Sequence, residues 1–223
     1  MILEEIISTI PIKPYHQEKS GVIYCADCLS VMKYMPDKCV DLVLTDPPYG
    51  MEFQSNYRFI KHDKIFGDNR YPVEILEEFK RITKRAIYVF CRWDNLCELP
   101  LPTSVLAWIK NNWSMGDLEH EHGRQWEAIC FYPQKEHEFI KRIPDVIDGR
   151  RTGNNLHPTE KPVSVVSRII QANVGDIILD PFLGSGTTAV VCKELGRKFI
   201  GIEISQKYCD IAVRRLSQEY LFT

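Results

Sequence analysis

The stretch Val40-Asp41-Leu42-Val43-Leu44-Thr45-Asp46-Pro47-Pro48-Tyr49 decides how the rest of the chain reads. It opens as an apolar, β-branched run of strand length. Two prolines then stop the strand, because neither offers an N–H to a ladder, and they hold the next carbonyls in a fixed, non-helical direction. A carboxylate, a rigid carbonyl and an aromatic ring are thereby gathered at the C-terminal end of a strand. That edge is where open α/β sheets bind ligands. Carboxylate and carbonyl are both acceptors, so Asp46 and the Pro47 carbonyl suit a neutral –NH2 group, and the Tyr49 ring suits a flat partner stacked beside it. A strand followed by an ordinary Asp-Pro turn is the competing reading.

A second stretch has the same design. Asp176-Ile177-Ile178-Leu179-Asp180 reads as a strand, followed by Pro181-Phe182-Leu183-Gly184-Ser185-Gly186-Thr187-Thr188 and a helix to Leu195. Lys198 to Glu203 is a further strand, ending in an acid. Gly184-x-Gly186-x-x-Ala189 with an acid some seventeen residues on matches the dinucleotide fingerprint loosely. Asp180, however, stands where a pyrophosphate would lie, and a carboxylate there repels phosphate and welcomes an ammonium or sulfonium. No lysine follows the glycines, so this is not an ATP-type phosphate loop. An acid at the loop, glycines for close backbone approach and Glu203 for ribose hydroxyls suit S-adenosylmethionine. A nucleotide-dependent oxidoreductase on the same kind of sheet is the alternative from another class; Asp180 and the double proline argue against it.

Between these stretches the periodicity alternates. Strands are expected at 22–26, 85–91, 105–110 and 126–132, the last two as an antiparallel edge pair. Helices are expected over 28–35, 74–84 and 164–172, and a final one after Ser205 with Tyr208, Ile211, Ala212 and Leu216 inward. Residues 1–20, broken by Pro11 and Pro14, read as a lead-in segment, and 133–157 shows no periodicity. Strand, helix, strand at 22–44 implies a parallel pair with a right-handed crossover. A polar, aromatic-dotted loop at 50–70 follows the first strand tip, where a mobile cover for a substrate commonly sits.

At 223 residues with a formal charge of −2, the chain is expected to form one domain, and any nucleic-acid contact must come from a local basic face. From Arg58 to Arg92 nine Lys/Arg (58, 61, 64, 70, 80, 81, 84, 85, 92) stand against five acids, which suits a phosphate-facing surface as well as a solvated helix face. No apolar run approaches the ~20 residues that span a bilayer. The N-terminus carries acids where an export signal would carry bases, so a reducing cytoplasm with free thiols is expected. Cys25-x-x-Cys28 has no second pair at ligand spacing and His120-Glu121-His122 is too closely spaced, so no metal is expected. Cys91, Cys130, Cys192 and Cys209 lie in apolar runs and read as small core residues.

With four motifs in order, the chain resembles the amino-methyltransferases of DNA in the permuted "beta" arrangement, over about residues 21–216. Asp46-Pro47-Pro48-Tyr49 matches that family's catalytic tetrapeptide. Asp180 to Thr187 resembles its methionine-binding loop, Ala26-Asp27-Cys28 its adenine-contacting turn, and Glu203 falls where it places a ribose-binding acid. His157-Pro158-Thr159-Glu160-Lys161-Pro162 resembles the stretch that helps to enclose the methionine. The resemblance implies a Rossmann-like, S-adenosylmethionine-dependent methyltransferase fold: an α/β molecule with a seven-stranded, mostly parallel sheet, one antiparallel strand and circularly permuted motif order. It implies cofactor contacts from Asp27, Cys28, Lys161, Asp180, Phe182, Gly184, Ser185, Gly186, Thr187 and Glu203.

The implied reaction is methyl transfer to an exocyclic amine of a base rotated out of double-stranded DNA and stacked on Tyr49. An Asp at the first motif position goes mostly with the adenine 6-amino group and a Ser with the cytosine 4-amino group, so adenine is favoured. Cytosine in DNA, a base in RNA and a protein glutamine remain alternatives on the same acceptor geometry. Residues 133–157 form a short target-recognition insertion by family standards. Arg142, Arg150 and Arg151 there, with Arg58, Lys61 and Lys64 in the 50–70 loop, are the expected DNA contacts. Such a short stretch reads only a few base edges, so a short recognition sequence, relaxed specificity or a second subunit is expected, and the family's habit of dimerising allows a homodimer. The setting so implied is the cytoplasm of a bacterial cell or a phage-infected host.

Overall fold

Among the described residues, nine strands form a single mixed sheet in the order β1-β2-β9-β8-β3-β4-β6-β5-β7. They are β1 (His16–Glu18), β2 (Gly21–Cys25), β3 (Val40–Thr45), β4 (Thr83–Cys91), β5 (Ser104–Ser114), β6 (Arg124–Pro133), β7 (Val146–Asp148), β8 (Ile177–Asp180) and β9 (Lys198–Glu203). The computed structural model describes residues 1–49, 75–114, 119–120, 122–152 and 160–218. The expected loop at 50–70, with Arg58, Lys61 and Lys64, lies outside the described residues, as do Glu74 and His157, Pro158 and Thr159.

All seven expected strands are present, and the sheet is mostly parallel. β2, β9, β8, β3 and β4 run side by side in one direction, β6 pairs antiparallel with both β4 and β5, and β7 is parallel to β5. The two added strands are three-residue edges. β1 pairs antiparallel with β2, which gives the sheet a second reversed strand, and β7 comes from a segment in which no element was expected. Residues 1–20 also hold a helix, α1 (Leu3–Thr9), whose Leu3 and Ile6 are buried in the core. A helix this short draws its stability from packing, not from propensity.

The helices α2 (Cys28–Met32), α3 (Ile75–Ile82), α4 (Val163–Ala172), α5 (Thr187–Glu194) and α6 (Gln206–Ser217) complete a three-layer arrangement. Alternation along each strand divides the core. Val43 of β3 faces the cluster formed by α1, α2 and α3, whereas Leu42 and Leu44 face the cluster of α4, α5 and α6, and a register irregularity between Val40 and Leu42 puts Val40 in the same cluster as Val43. α2 is shorter than expected, although Met35 beyond it is buried. α3 ends at Ile82, and Thr83 and Lys84 belong to β4 instead of the expected helix. In α6 the buried positions are Tyr208, Cys209, Ala212, Arg215 and Leu216; Ile211 is only partly covered. Ser205 occupies the N-cap position, but its side chain makes no cap bond.

The sequence-distant halves are joined at the β3–β8 seam, where Leu42 pairs with Ile178 and Val43 with Leu179. At one end of the seam the Asp41 carboxylate accepts the backbone N–H groups of Asp176 (2.8 Å) and Ile177 (3.0 Å), with Gly175 packed over its Cβ. At the other end Thr45 Oγ1 donates to Asp180 Oδ1 at 2.9 Å. No helix among the described residues is long and apolar enough to cross a membrane.

Candidate active site

Four adjacent parallel strands end in acids along one edge of the sheet. In spatial order these are Asp27 after β2, Glu203 at the end of β9, Asp180 at the end of β8, and Asp46 after β3. The edge thus carries negative charge where a pyrophosphate would need the opposite.

On the β8–β9 side the glycine loop is held from three directions. Gly184 and Gly186 adopt φ of +53° and +88°, a region that L side chains rarely enter. A Cβ on Gly186 would lie 2.7 Å from the Ala212 Cβ of α6. Glu203 Oε2 accepts the Gly184 N–H at 2.8 Å and Oε1 accepts the Ser205 N–H at 2.9 Å, while burial pushes its carboxyl above the ordinary range. From α6 the buried Arg215 donates from one nitrogen to the Ser185 carbonyl (2.9 Å), Ser185 Oγ (3.1 Å) and Thr187 Oγ1 (3.2 Å), with Glu160 at 3.4 Å. The Ala26 N–H bonds the Glu203 carbonyl at 3.0 Å, and Asp27 caps α2 through the Ser30 N–H at 3.0 Å. Asp27 and Cys28 therefore lie beside Glu203, with the Cys28 thiol pushed up to about 12, chiefly by burial. Phe182 is half-buried against the core.

Asp180 corrects the sequence reading in its detail. Its carboxylate is not open to a cation: Oδ1 accepts from Thr45 Oγ1 (2.9 Å) and the Phe182 N–H (3.1 Å), and Oδ2 accepts from Thr188 Oγ1 (2.6 Å). Burial nevertheless raises its carboxyl to about 6, against the pull of those bonds. Asp180 is thus the clasp that fixes the tip of β3 to the glycine loop.

Asp46 sits one residue past that clasp, in a buried charged cluster. Its Oδ2 accepts from Lys161 Nζ at 2.6 Å, and its Oδ1 accepts from the Tyr49 hydroxyl at 2.5 Å. Lys161 Nζ also lies 2.8 Å from Glu127 Oε1 and 3.1 Å from the Tyr49 hydroxyl, which contacts Glu127 Oε1 as well. Glu127 Oε2 pairs with Lys110 Nζ at 2.7 Å. The two ammoniums rest over aromatic faces, Lys161 near Phe90 and Tyr49, and Lys110 near Trp108. Burial alone would raise the Glu127 carboxyl, but Lys161 and Lys110 together bring it down to about 2. Asp46 keeps only a share of Lys161, so burial wins and its carboxyl is raised. The Tyr49 phenol is raised well above its ordinary value by burial and by both carboxylates.

The structure therefore brings together Asp46, Pro47, Pro48 and Tyr49 with the loop from Asp180 to Thr187, on one edge and through a direct bond. Lys161, expected as a cofactor contact, lies on Asp46. Arg142 and Arg150 are exposed and Arg151 is half-buried, all near the β7 edge of the sheet. Sequence reasoning missed Glu127, Lys110 and Arg215. A signal was present: Glu127 shares the inward alternation of Ile129 and Phe131, and Arg215 shares the inward helical face of Tyr208 and Ala212. A charge in such a position needs a buried partner.

A family model described as DNA methylase matches residues 40–214. Among curated relatives, the Type II methyltransferase M2.LlaDCHI of Lactococcus lactis subsp. cremoris is 29% identical over an alignment 259 positions long, gaps included, covering 92% of this chain and 93% of that protein. Among solved structures, the M1.HpyAVI–SAM complex aligns with a TM-score of 0.67 at 24% identity, over 87% of this chain and 99% of its own. The PvuII DNA methyltransferase, described as cytosine-N4-specific, aligns with a TM-score of 0.71 at 15% identity, over 96% and 92%.

Proposed function

Because the chain belongs to the DNA methylase family, we propose that it transfers a methyl group from S-adenosylmethionine to the exocyclic 6-amino group of adenine in double-stranded DNA. The observation that carries this reading is the bond between Thr45 and Asp180, which fixes the acceptor motif of β3 beside the glycine loop of β8.

The residues along the edge fit that cofactor. A strand edge tipped by Asp27, Glu203 and Asp46, with no lysine after the glycines, suits a donor that carries an ammonium and a sulfonium and no phosphate. The left-handed glycines leave the loop backbone bare for close approach. Asp27, Cys28, Glu203 and the loop from Phe182 to Thr187 would hold it, with Asp180 acting through the loop. S-adenosylmethionine, when bound, supplies an electrophilic methyl group.

The work of the protein is to make a poor nucleophile attack in line. The lone pair of an adenine amine is delocalised into its ring. Asp46 and the Pro47 carbonyl accept the two amine hydrogens, which favours a pyramidal nitrogen with a localised lone pair, and the Asp46 charge stabilises the positive charge that grows there during attack. The proton shed by the methylated nitrogen passes to water. A base inside a duplex is out of reach, so it is rotated outward to meet these acceptors, with the Tyr49 ring as its stacking face. Arg142, Arg150 and Arg151 supply phosphate or guanine contacts from the β7 side, and the short 133–157 stretch limits how many base edges are read.

The preference for adenine follows from the acid at the first motif position. The cytosine 4-amino group is the second reading, since the same acceptor pair serves either amine. Labelled methyl transfer onto duplex DNA followed by nucleoside analysis tests both. Label on the adenine 6-amino group is expected; label on cytosine overturns the choice of base. Asp46→Ala is expected to keep cofactor binding and to abolish transfer, and near-normal turnover in that variant would overturn the assignment.

A further inference from the structure

The cluster around Asp46 holds more than the acceptor pair needs. A phenol has one hydrogen to give, yet the Tyr49 hydroxyl stands between two carboxylates, Asp46 Oδ1 at 2.5 Å and Glu127 Oε1, with the Lys161 ammonium at 3.1 Å. Lys161 can donate to the hydroxyl, so the hydroxyl serves only one carboxylate at a time. The Lys161 ammonium is itself shared, at 2.6 Å from Asp46 and 2.8 Å from Glu127. Glu127 and Lys161 are both buried, with side chains 9% exposed, so these contacts are made with little screening by water.

The register explains how an acid from the far side of the sheet reaches this point. β6 pairs with β4 so that Ile129 stands opposite Phe90, and with β5 so that Glu127 stands opposite Trp108. Glu127 thus lies on the same face as Phe90 and two residues beyond Ile129 along β6, at the end of the sheet where β3 and β4 finish. Lys110, two residues beyond Trp108, anchors its other oxygen.

Resting on the methyltransferase reading, we infer that Glu127 is a positioning residue for Asp46. By offering the Tyr49 hydroxyl a second acceptor and drawing on the Lys161 ammonium, it frees an Asp46 oxygen for the target amine. The resting arrangement, with Tyr49 and Lys161 both on Asp46, occupies the oxygens that the amine must reach. When the amine arrives, the hydroxyl turns to Glu127, so that no buried donor is left without an acceptor. Lys161 opposes the rise that burial imposes on the Asp46 carboxyl. No covalent bond is made or broken in this exchange; one hydrogen bond moves from one carboxylate to the other.

The charged and titratable groups that face Asp46 are Tyr49 on its own segment, Lys161 before α4, Glu127 on β6 with Lys110 of β5 behind it, Asp180 on β8, and the Cys91 thiol of β4, itself 3.6 Å from that of Cys130. Burial raises the Asp46 carboxyl, Lys161 opposes that rise and Glu127 adds to it. The two neighbours therefore act with opposite signs, and substituting them separates the inferred role from simple support of the fold.

The test is single-turnover methylation of duplex DNA by the full chain across the acid range, with S-adenosylmethionine binding measured at each pH. Glu127→Gln removes a like charge and should move the acid limb of the rate to lower pH. Lys161→Gln removes the opposing charge and should move it to higher pH, each by about one unit, the scale set by a charge within ~4–6 Å. Lys161→Arg should return the limb to its wild-type position. Limbs that stay in place, or that move the same way in both variants, overturn the inference. If Lys161→Gln fails to fold, the nearly isosteric Glu127→Gln decides alone, and an unmoved or upward limb refutes the role. Wild-type chain that transfers no methyl to DNA refutes the functional reading and the inference with it, whereas active wild type with undisplaced limbs refutes the role of Glu127 only.

Discussion

Asp180→Asn probes the clasp between the two halves of the site. In the folded chain the Asp180 carboxyl holds its proton to about pH 6, against an ordinary value of 3.8. Between those values the folded chain binds a proton that the unfolded chain has released. The stability this confers is complete below the unfolded value and is lost as pH rises through the folded one. Linkage over that window gives about 2 kcal/mol of stability lost between about pH 4.5 and about pH 7.5. Asparagine keeps an oxygen for Thr45 Oγ1 and the Phe182 N–H and turns its amide toward the Thr188 hydroxyl, which can rotate to accept. The variant therefore retains the contacts and loses the titration. Urea unfolding of both chains at the two pH values is the assay. For a chain of this size m is about 2–3 kcal/mol/M, so the wild-type midpoint should fall relative to Asp180→Asn by roughly 0.8 M on going from acid to neutral pH. Other titrating groups are common to both chains and cancel in the difference. A gap between the midpoints that is the same at both pH values would refute the argument that burial governs this carboxyl.

Two substitutions test the loop that Asp180 helps to hold. Gly186→Ala places a Cβ at φ +88° and 2.7 Å from the Ala212 Cβ, so strain and overpacking together should cost about 2–4 kcal/mol, a fall in Tm of roughly 5–15 °C by calorimetry. Arg215→Leu strips three donated bonds from Ser185 and Thr187 and leaves the buried Glu160 without its cation. A loss of about 3–5 kcal/mol in urea unfolding is expected, together with weaker S-adenosylmethionine binding by titration; unchanged affinity in a folded variant would show that the arginine does not shape the loop.

How much could be read from the amino-acid order depends on whether the signal is contiguous. The central strands are runs such as Val40 to Leu44 and Ile177 to Leu179, bounded by acids and prolines, and both faces are buried, so they announce themselves. The acceptor motif and the glycine loop are likewise local. What was missed is short or non-local. α1 has apolar residues at 3, 6, 7 and 10, a helical spacing that the nearby prolines disguised, and it persists because Leu3, Ile6 and Ile10 are buried. β7 is three residues long and exists because the edge of β5 offers it partners. Glu127 and Lys110 were passed over because each stands in an otherwise unremarkable strand. The inward alternation of Glu127 is the one local hint; antiparallel register sets it against Lys161 and Tyr49, with Lys110 on its other oxygen. Asp180 was read as an acid facing a ligand because no sequence rule shows that Thr45, 135 positions away, takes one of its oxygens.

The strand order has a consequence for how the molecule is born. β8 and β9 lie between β2 and β3, yet they leave the ribosome after the other seven strands of the sheet. Until they emerge, the nascent polypeptide carries a gap two strands wide at its middle, flanked by the open, apolar edges of β2 and β3. Such edges invite mispairing with other chains, and closing the gap requires contacts between residues far apart in the order of translation, a slow kind of step. Catalytic competence therefore waits on the late pair, which must slide into place before Thr45 finds its partner.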